Sequence, residues 1–265
     1  MIKVVVAGAA GRMGGEVCKA VLSEPDMSLV GAVDVSSVGS DVGELLGRGT
    51  LGVTITDELE ACLKEKSAQV MVDFTHPSAV MQNIRTALKC GVHAVVGTTG
   101  MSETDLAEIK SLVEDGPANV VVAPNFAIGA VLMMKLSEIA AKYLPDVEII
   151  ELHHNQKADA PSGTALKTAQ LIAGLRSKET SRSPVEKETV KGVRGGKAED
   201  IHIHSVRLPG LVAHQEVIFG GVGQTLTIRH DSIDRSSFMP GVLMAIREVE
   251  KRKGFIYGLD KLMGL

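Results

Sequence analysis

Residues 2–24, IKVVVAGAAGRMGGEVCKAVLSE, join a β-branched run to a glycine-rich turn and then to a helical pattern carrying Val17, Ala20 and Val21. This junction restricts the fold more than any other feature. Glycines at 8, 11 and 14 let a strand turn tightly into a helix, the opening move of a βαβ unit. A second apolar run, SLVGAVD, ends in Asp34, 20 residues after Gly14. The runs VMVDF, HAVVG and NVVVAPN follow, separated by helical stretches over 78–89 and 102–113. Strands apolar on both faces that alternate with helices predict a parallel sheet covered by helices, so the N-terminal fold class is α/β.

After Asn125 the pattern changes. A helix is expected over 128–143, then the strand DVEIIELHH and a helix opening near Ser162. Residues 177–200 are charged and poor in apolar side chains, which predicts a mobile loop or a partner-contact segment. The runs IHIHSVRL, AHQEVIFG and QTLTIRH are spaced like an antiparallel meander, and 234–253 forms a last helical pattern. The expected organisation is a Rossmann-like dinucleotide-binding domain over 1–126 and an α+β domain over 127–237. The terminal segment 238–265 is able to pack back on the first or to stay with the second.

Composition excludes several classes. A net charge of −4 with no basic block, and no Trp, gives neither a field nor a stacking surface for nucleic acid. No apolar stretch is long enough to span a bilayer. Three scattered cysteines without a CxxC pair suit a reducing compartment, and the apolar start is too short for a signal peptide. The expectation is a cytoplasmic protein without membrane or nucleic-acid partners.

Two parts of the sequence carry chemistry. The turn Gly8-Ala9-Ala10-Gly11-Arg12-Met13-Gly14 brings backbone N–H groups to a helix start, where a pyrophosphate is favoured. Its spacing is GxxGxxG rather than GxGxxG, so its βαβ context carries the reading. Asp34 suits the adenosine ribose hydroxyls, and the absence of a basic residue beside it favours NADH, with NADPH kept open by Arg12. The loops VVGTTG and VAPNFAIG follow strands, and Gly97, Thr98 and Thr99 are small enough for a ribose to approach.

The second part is ELHHNQKADAPSGTA, residues 151–165. Pro161 and Ser162 set up a helix start at which Gly163 and Thr164 offer N–H groups to a carboxylate. Lys157 and an imidazole add charge and a titratable proton. His153 and His154, being adjacent, face opposite ways and divide the work. A polar loop rich in histidine is the bland alternative. A zinc set of His153, His202 and His204 is the chemical rival, but no Cys cluster or HExxH helix supports it, and no metal is expected.

Together VAGAAGRMG, DFTHPSA, GTTG, APNFAIG, ELHHNQKADAPSGTA, HSVRLPGLVAHQEVIFGG and RHDSIDRSSFMPG resemble the dihydrodipicolinate (4-hydroxy-tetrahydrodipicolinate) reductase family along essentially the whole chain. The His-His-x-x-Lys-x-Asp-Ala-Pro-Ser-Gly-Thr run is its most specific part. The resemblance implies NAD(P)H-dependent reduction of a cyclic dicarboxylate in lysine and diaminopimelate synthesis, by a homotetramer assembled through the second domain. It implies catalytic roles for His153 and Lys157, and substrate binding by His154, Gly163 and Thr164. It also places the cofactor on Gly8, Ala9, Ala10, Gly11, Arg12, Met13, Asp34, Gly97, Thr98, Thr99, Ala123, Pro124, Asn125 and Phe126. Val35 departs from members with Arg after the acid, and His202 from members with Gly there. The alternatives are another two-domain dehydrogenase of an amino or semialdehyde substrate, and a dinucleotide-sensing module without turnover.

Overall fold

The computed structural model describes residues 1–114, 116–176 and 187–265. They divide into two compact units, Met1–Ile128 with Phe238–Leu265, and Gly129–Ser237.

The first unit begins with β1 (Ile2–Ala7), α1 (Arg12–Ser23), β2 (Met27–Val33), α2 (Val42–Leu45), β3 (Ile55–Thr56) and α3 (Leu59–Glu65). It continues through β4 (Val70–Asp73), α4 (Pro77–Lys89), β5 (His93–Val96), α5 (Glu103–Glu114) and β6 (Val120–Val122). The strands are buried on both faces: Val4, Val5, Val6, Met71, Val72, Ala94 and Val95 are all at 0% exposure. Such strands need helices on either side, and crossover helices make the pairs parallel. One core joins Val80, Ile84 and Ala87 of α4 to Val5, Met71 and Ala94 of the sheet. Truncating Ile84 to Ala would cost about 2–5 kcal/mol in transfer and cavity terms. Helix α4 starts where it does because His76 Nδ1 accepts from the Ser78 N–H at 3.3 Å and Pro77 fills its first position.

The second unit holds most of α6 (Ile128–Ala140), then β7 (Asp146–His153), α7 (Gly163–Leu175), β8 (Gly196–Ala198), β9 (Ile201–Arg207), β10 (Ala213–Gly221) and β11 (Gln224–Ser232). Among the described residues its sheet runs β11-β10-β7-β9-β8. Ile149, Ile203, Val217 and Phe219 pack with Ala165, Ala169 and Ile172 of α7 and Met133 of α6.

The expected meander is half corrected. β10 and β11 are an antiparallel hairpin, but β9 pairs with β7, in parallel, and β7 separates it from β10. The reason is α7, which supplies the crossover that a parallel neighbour requires. The expected loop over 177–200 is corrected in part as well: β8 pairs antiparallel with β9, while 177–186 lie outside the described residues.

The chain then passes through a 3₁₀ turn (Arg235–Phe238) and returns to the first unit as α8 (Met239–Val249), β12 (Phe255–Tyr257) and α9 (Leu259–Met263). Pro240 sits in the first turn of α8, so the helix starts later than the periodicity of 234–253 suggests. β12 was not expected. It pairs in parallel with β6, so that seven strands run β12-β6-β5-β4-β1-β2-β3. Buried Asn119 clasps this return, donating to the Val249 carbonyl at 2.9 Å and accepting from the Gly254 N–H at 2.8 Å. Among the described residues no helix is long and apolar enough to cross a membrane.

Candidate active site

In the first unit the glycine turn lies between β1 and α1. Gly8 has φ +83°, and a Cβ there would fall 2.8 Å from the Phe74 carbonyl carbon. A Cβ on Gly14 would fall 2.6 Å from the carbonyl carbon of Gly8. The turn and helix therefore approach at backbone distance, which only glycine allows. No side chain caps α1, whose N-cap is Gly11, so its first N–H groups are offered at the positive end of the helix. Arg12 is exposed beside them. These features fit a pyrophosphate.

Asp34, just past β2, joins this turn to the following loop. Its Oδ2 accepts from the Ala10 N–H at 3.0 Å, and its Oδ1 accepts from the Ser36 N–H at 2.9 Å and hydroxyl at 2.8 Å. Val35 is 93% exposed and brings no cation to that edge.

The other predicted cofactor residues differ in what they offer. Thr98 is buried, and its hydroxyl donates to Asp73 Oδ1 at 2.6 Å and accepts from the Thr75 N–H at 2.8 Å. Its side chain thus holds the loop, while Gly97 and exposed Thr99 form the accessible part. Ala123 donates to the Val96 carbonyl at 3.0 Å, and Asn125 Oδ1 accepts from the Ala127 N–H at 2.9 Å. Pro124 lies between them, and the buried Phe126 ring sits 5.9 Å from that of Phe74.

Asp73 was missed by sequence reasoning. It is at 0% exposure and also accepts from Asn83 Nδ2 at 2.8 Å and from the Thr75 hydroxyl at 2.8 Å. One buried carboxylate therefore joins the loop after β4 to the loop after β5. The available signal was an acid closing a fully apolar strand, as Asp34 nearly does for β2.

In the second unit the segment 151–165 runs from β7 through a loop to α7. Glu151 and His153 are two residues apart on one strand and so share a face. His153 Nδ1 is hydrogen-bonded to Glu151 Oε2. Glu151 is fully buried, and Arg207 of β9 grips both its oxygens, at 2.9 and 2.7 Å. Burial pushes the Glu151 carboxyl up, but hydrogen bonds from Arg207, Ser205 and His153 outweigh this and hold it below its ordinary value. Burial also dominates at His153, lowering its pKa; the carboxylate opposes this while Lys157 and Arg207 add to it.

Lys157 Nζ donates to both Asp159 oxygens, at 2.7 and 2.9 Å, and its N–H donates to the His154 carbonyl at 3.1 Å. That ammonium, first among the causes, holds Asp159 below the usual carboxylate range. The peptide bond before Pro161 is cis. Ser162 caps α7, its hydroxyl accepting from the Ala165 N–H at 3.2 Å. Gly163 is exposed and faces open space, and Thr164 follows it in the first turn, where N–H groups point out of the helix.

The structure thus joins His153 to the unpredicted Glu151 and Arg207, and Lys157 to the unpredicted Asp159. His154, half-buried one residue past β7, takes part among the described residues only through its backbone carbonyl, which accepts from the Lys157 N–H. His202 and His204 stack at 6.4 Å on β9; His202 bonds the Arg194 carbonyl and His204 bonds Glu148. Among the described residues no group of three His, Cys, Asp or Glu side chains could hold a metal ion.

Two family models, "Dihydrodipicolinate reductase, N-terminus" and "Dihydrodipicolinate reductase, C-terminus", match residues 2–126 and 129–263. The 4-hydroxy-tetrahydrodipicolinate reductase of Desulfitobacterium hafniense (strain DSM 10664 / DCB-2) is 53% identical over 263 residues, 99% of this chain and 98% of that one. The protein of the same name from Syntrophomonas wolfei is 51% identical over 98% of each chain. The solved structure of dipicolinate-bound dihydrodipicolinate reductase from Paenisporosarcina sp. TG-14 matches with a TM-score of 0.88 at 45% identity, covering 98% of this chain and 99% of that one. An amine dehydrogenase from Mycobacterium smegmatis, at 18% identity and a TM-score of 0.70 over 98% of this chain and 95% of that one, shares the fold alone.

Proposed function

The chain belongs to the dihydrodipicolinate reductase family, and from that premise we propose that it reduces 4-hydroxy-tetrahydrodipicolinate to tetrahydrodipicolinate. This is a step of lysine and diaminopimelate synthesis, which we place in the cytoplasm. The observation that carries the reading is the segment from Glu151 to Thr164, which carries an imidazole bonded to a buried carboxylate, an ammonium held by Asp159 and the Ser162-capped start of α7.

We assign residues 1–126 to the dinucleotide and 127–237 to the substrate and to assembly as a homotetramer. Gly8 to Met13 would hold the pyrophosphate, Asp34 the adenosine ribose, and the loops at 97–99 and 123–126 the nicotinamide side. A bound reduced nicotinamide supplies hydride from its C4. NADH is the favoured form. Asp34 presents a carboxylate where a 2′-phosphate would lie, and Val35 offers no cation to offset it.

The chain's own residues bind, orient and move a proton. The α7 start, through the N–H groups of Gly163 and Thr164, would take one substrate carboxylate, with His154 gripping the same dicarboxylate. Lys157 carries the proton to be delivered, and Asp159 holds its ammonium in place. His153, neutral near pH 7 by virtue of its burial, presents a ring nitrogen to the reacting part of the ring.

The test is oxidation of NADH and NADPH by the purified chain. The substrate is made freshly from pyruvate and aspartate semialdehyde by the synthase that precedes this step. Turnover is expected, with NADH the better donor; no oxidation of either cofactor would refute the assignment.

A further inference from the structure

We propose that Glu151 and Arg207 are a positioning pair for the reaction, fixing His153 with its Nε2 edge toward the substrate and tying the Lys157 loop to the same anchor. The proposal rests on the reading of His153 as a reacting group.

The geometry follows from the sheet. Glu151 and His153 lie on one face of β7, and the parallel register sets Arg207 of β9 beside His153. From there the guanidinium reaches back to Glu151 as a two-pronged fork, Nη1 to Oε2 at 2.9 Å and Nη2 to Oε1 at 2.7 Å. A carboxylate at 0% exposure is tolerated only with such a partner. Held there as an anion, it can only accept, so the proton it shares with the imidazole belongs to His153 Nδ1. Nε2 is then the nitrogen left for chemistry, as acceptor in the neutral ring and donor in the charged one.

Arg207 has a second task. Its Nη2 also donates to the Asp159 carbonyl at 2.8 Å, and Nη1 to the Val206 carbonyl at 2.8 Å. Asp159 is the residue whose carboxylate holds the Lys157 ammonium. One guanidinium thus sets both the histidine, through Glu151, and the backbone of the loop that carries the lysine. The charged groups facing His153 are Glu151 on its own strand, Arg207 on β9 and Lys157 in the loop.

Two measurements on the full chain test this. In the wild-type protein the ring ¹⁵N shifts of His153 should report the Nδ1–H tautomer at neutral pH; the Nε2–H tautomer would overturn the proposal without any variant. In kinetics, Glu151→Gln should lower kcat at least ~10-fold, with inhibition by dipicolinate within ~3-fold of wild type. The limb of the pH profile that His153→Ala abolishes should move to lower pH, since the anion favouring the imidazolium is gone. Arg207→Lys keeps the charge but loses the fork, and should shift kcat the same way. It carries the kinetic test if Glu151→Gln does not fold. Wild-type kcat with an unmoved limb in the folded variant would overturn the pair. Wild-type turnover in His153→Ala would instead sink the role of His153 itself.

Discussion

Lys157 Nζ lies 2.7 Å from Oδ1 of Asp159, two residues further along the same loop, and the lysine side chain is 21% exposed against 63% for the aspartate. The carboxylate is the solvent-facing member, so the pair aims the ammonium more than it stabilises the fold. Lys157→Ala is expected to lower kcat at least ~10-fold while NADH affinity stays within ~2-fold. Asp159→Asn should change unfolding free energy by under ~1 kcal/mol in urea titrations, yet still reduce kcat.

We place cofactor choice at the end of β2. Asp34→Ala removes the acceptor of Ala10 and Ser36 and should weaken NADH about 10-fold. Val35→Arg should raise NADPH affinity relative to NADH by about 10-fold, because a guanidinium there meets the 2′-phosphate. Fluorescence titration with both cofactors checks the pair.

The buried Asp73 makes a different prediction. Asp73→Ala leaves the donors of buried Thr98 and half-buried Thr75 and Asn83 without their acceptor and is expected to cost about 2–4 kcal/mol. Asp73→Asn keeps the shape and should cost less. Urea unfolding of both, beside NADH titration, separates loss of stability from loosening of the 97–99 loop.

Stability should depend on pH through three histidines. His93, His153 and His230 are each held below the ordinary histidine range, chiefly by burial. His93 Nδ1 moreover accepts from the Asn119 N–H at 2.9 Å, a bond that protonation would break. As pH falls, the unfolded chain takes up protons before the native one, which favours unfolding. Stability is therefore expected to be intact above about pH 6.5 and to decline below it. Urea midpoints at about pH 7.5 and about pH 5.5 measure the loss; a midpoint that rises on acidification would contradict it.

The parallel sheet was legible because β1, β4, β5 and β6 are apolar on every residue or nearly so, and only strands covered on both faces can be. Asp34 and the glycine turn were legible because they sit at fixed offsets within one βαβ unit. Glu151 and Arg207 were not, although both stood in segments that had drawn notice. Their meeting depends on β9 pairing with β7 rather than with β10, and nothing local in 56 residues of intervening separation encodes that register. β12 escaped for a related reason: three residues carry no period, and only the β6 edge with the Asn119 clasp makes them a strand.

That clasp bears on how the protein is made. Residues 129–237 are an insertion between two stretches of the first unit, so a ribosome delivers β1 to β6 long before Phe238–Leu265. During that interval Val120–Val122 is a bare sheet margin, and Asn119 lacks both of its partners, the Val249 carbonyl and the Gly254 N–H. The nascent first unit must wait, edge open, until the whole second unit has been synthesised.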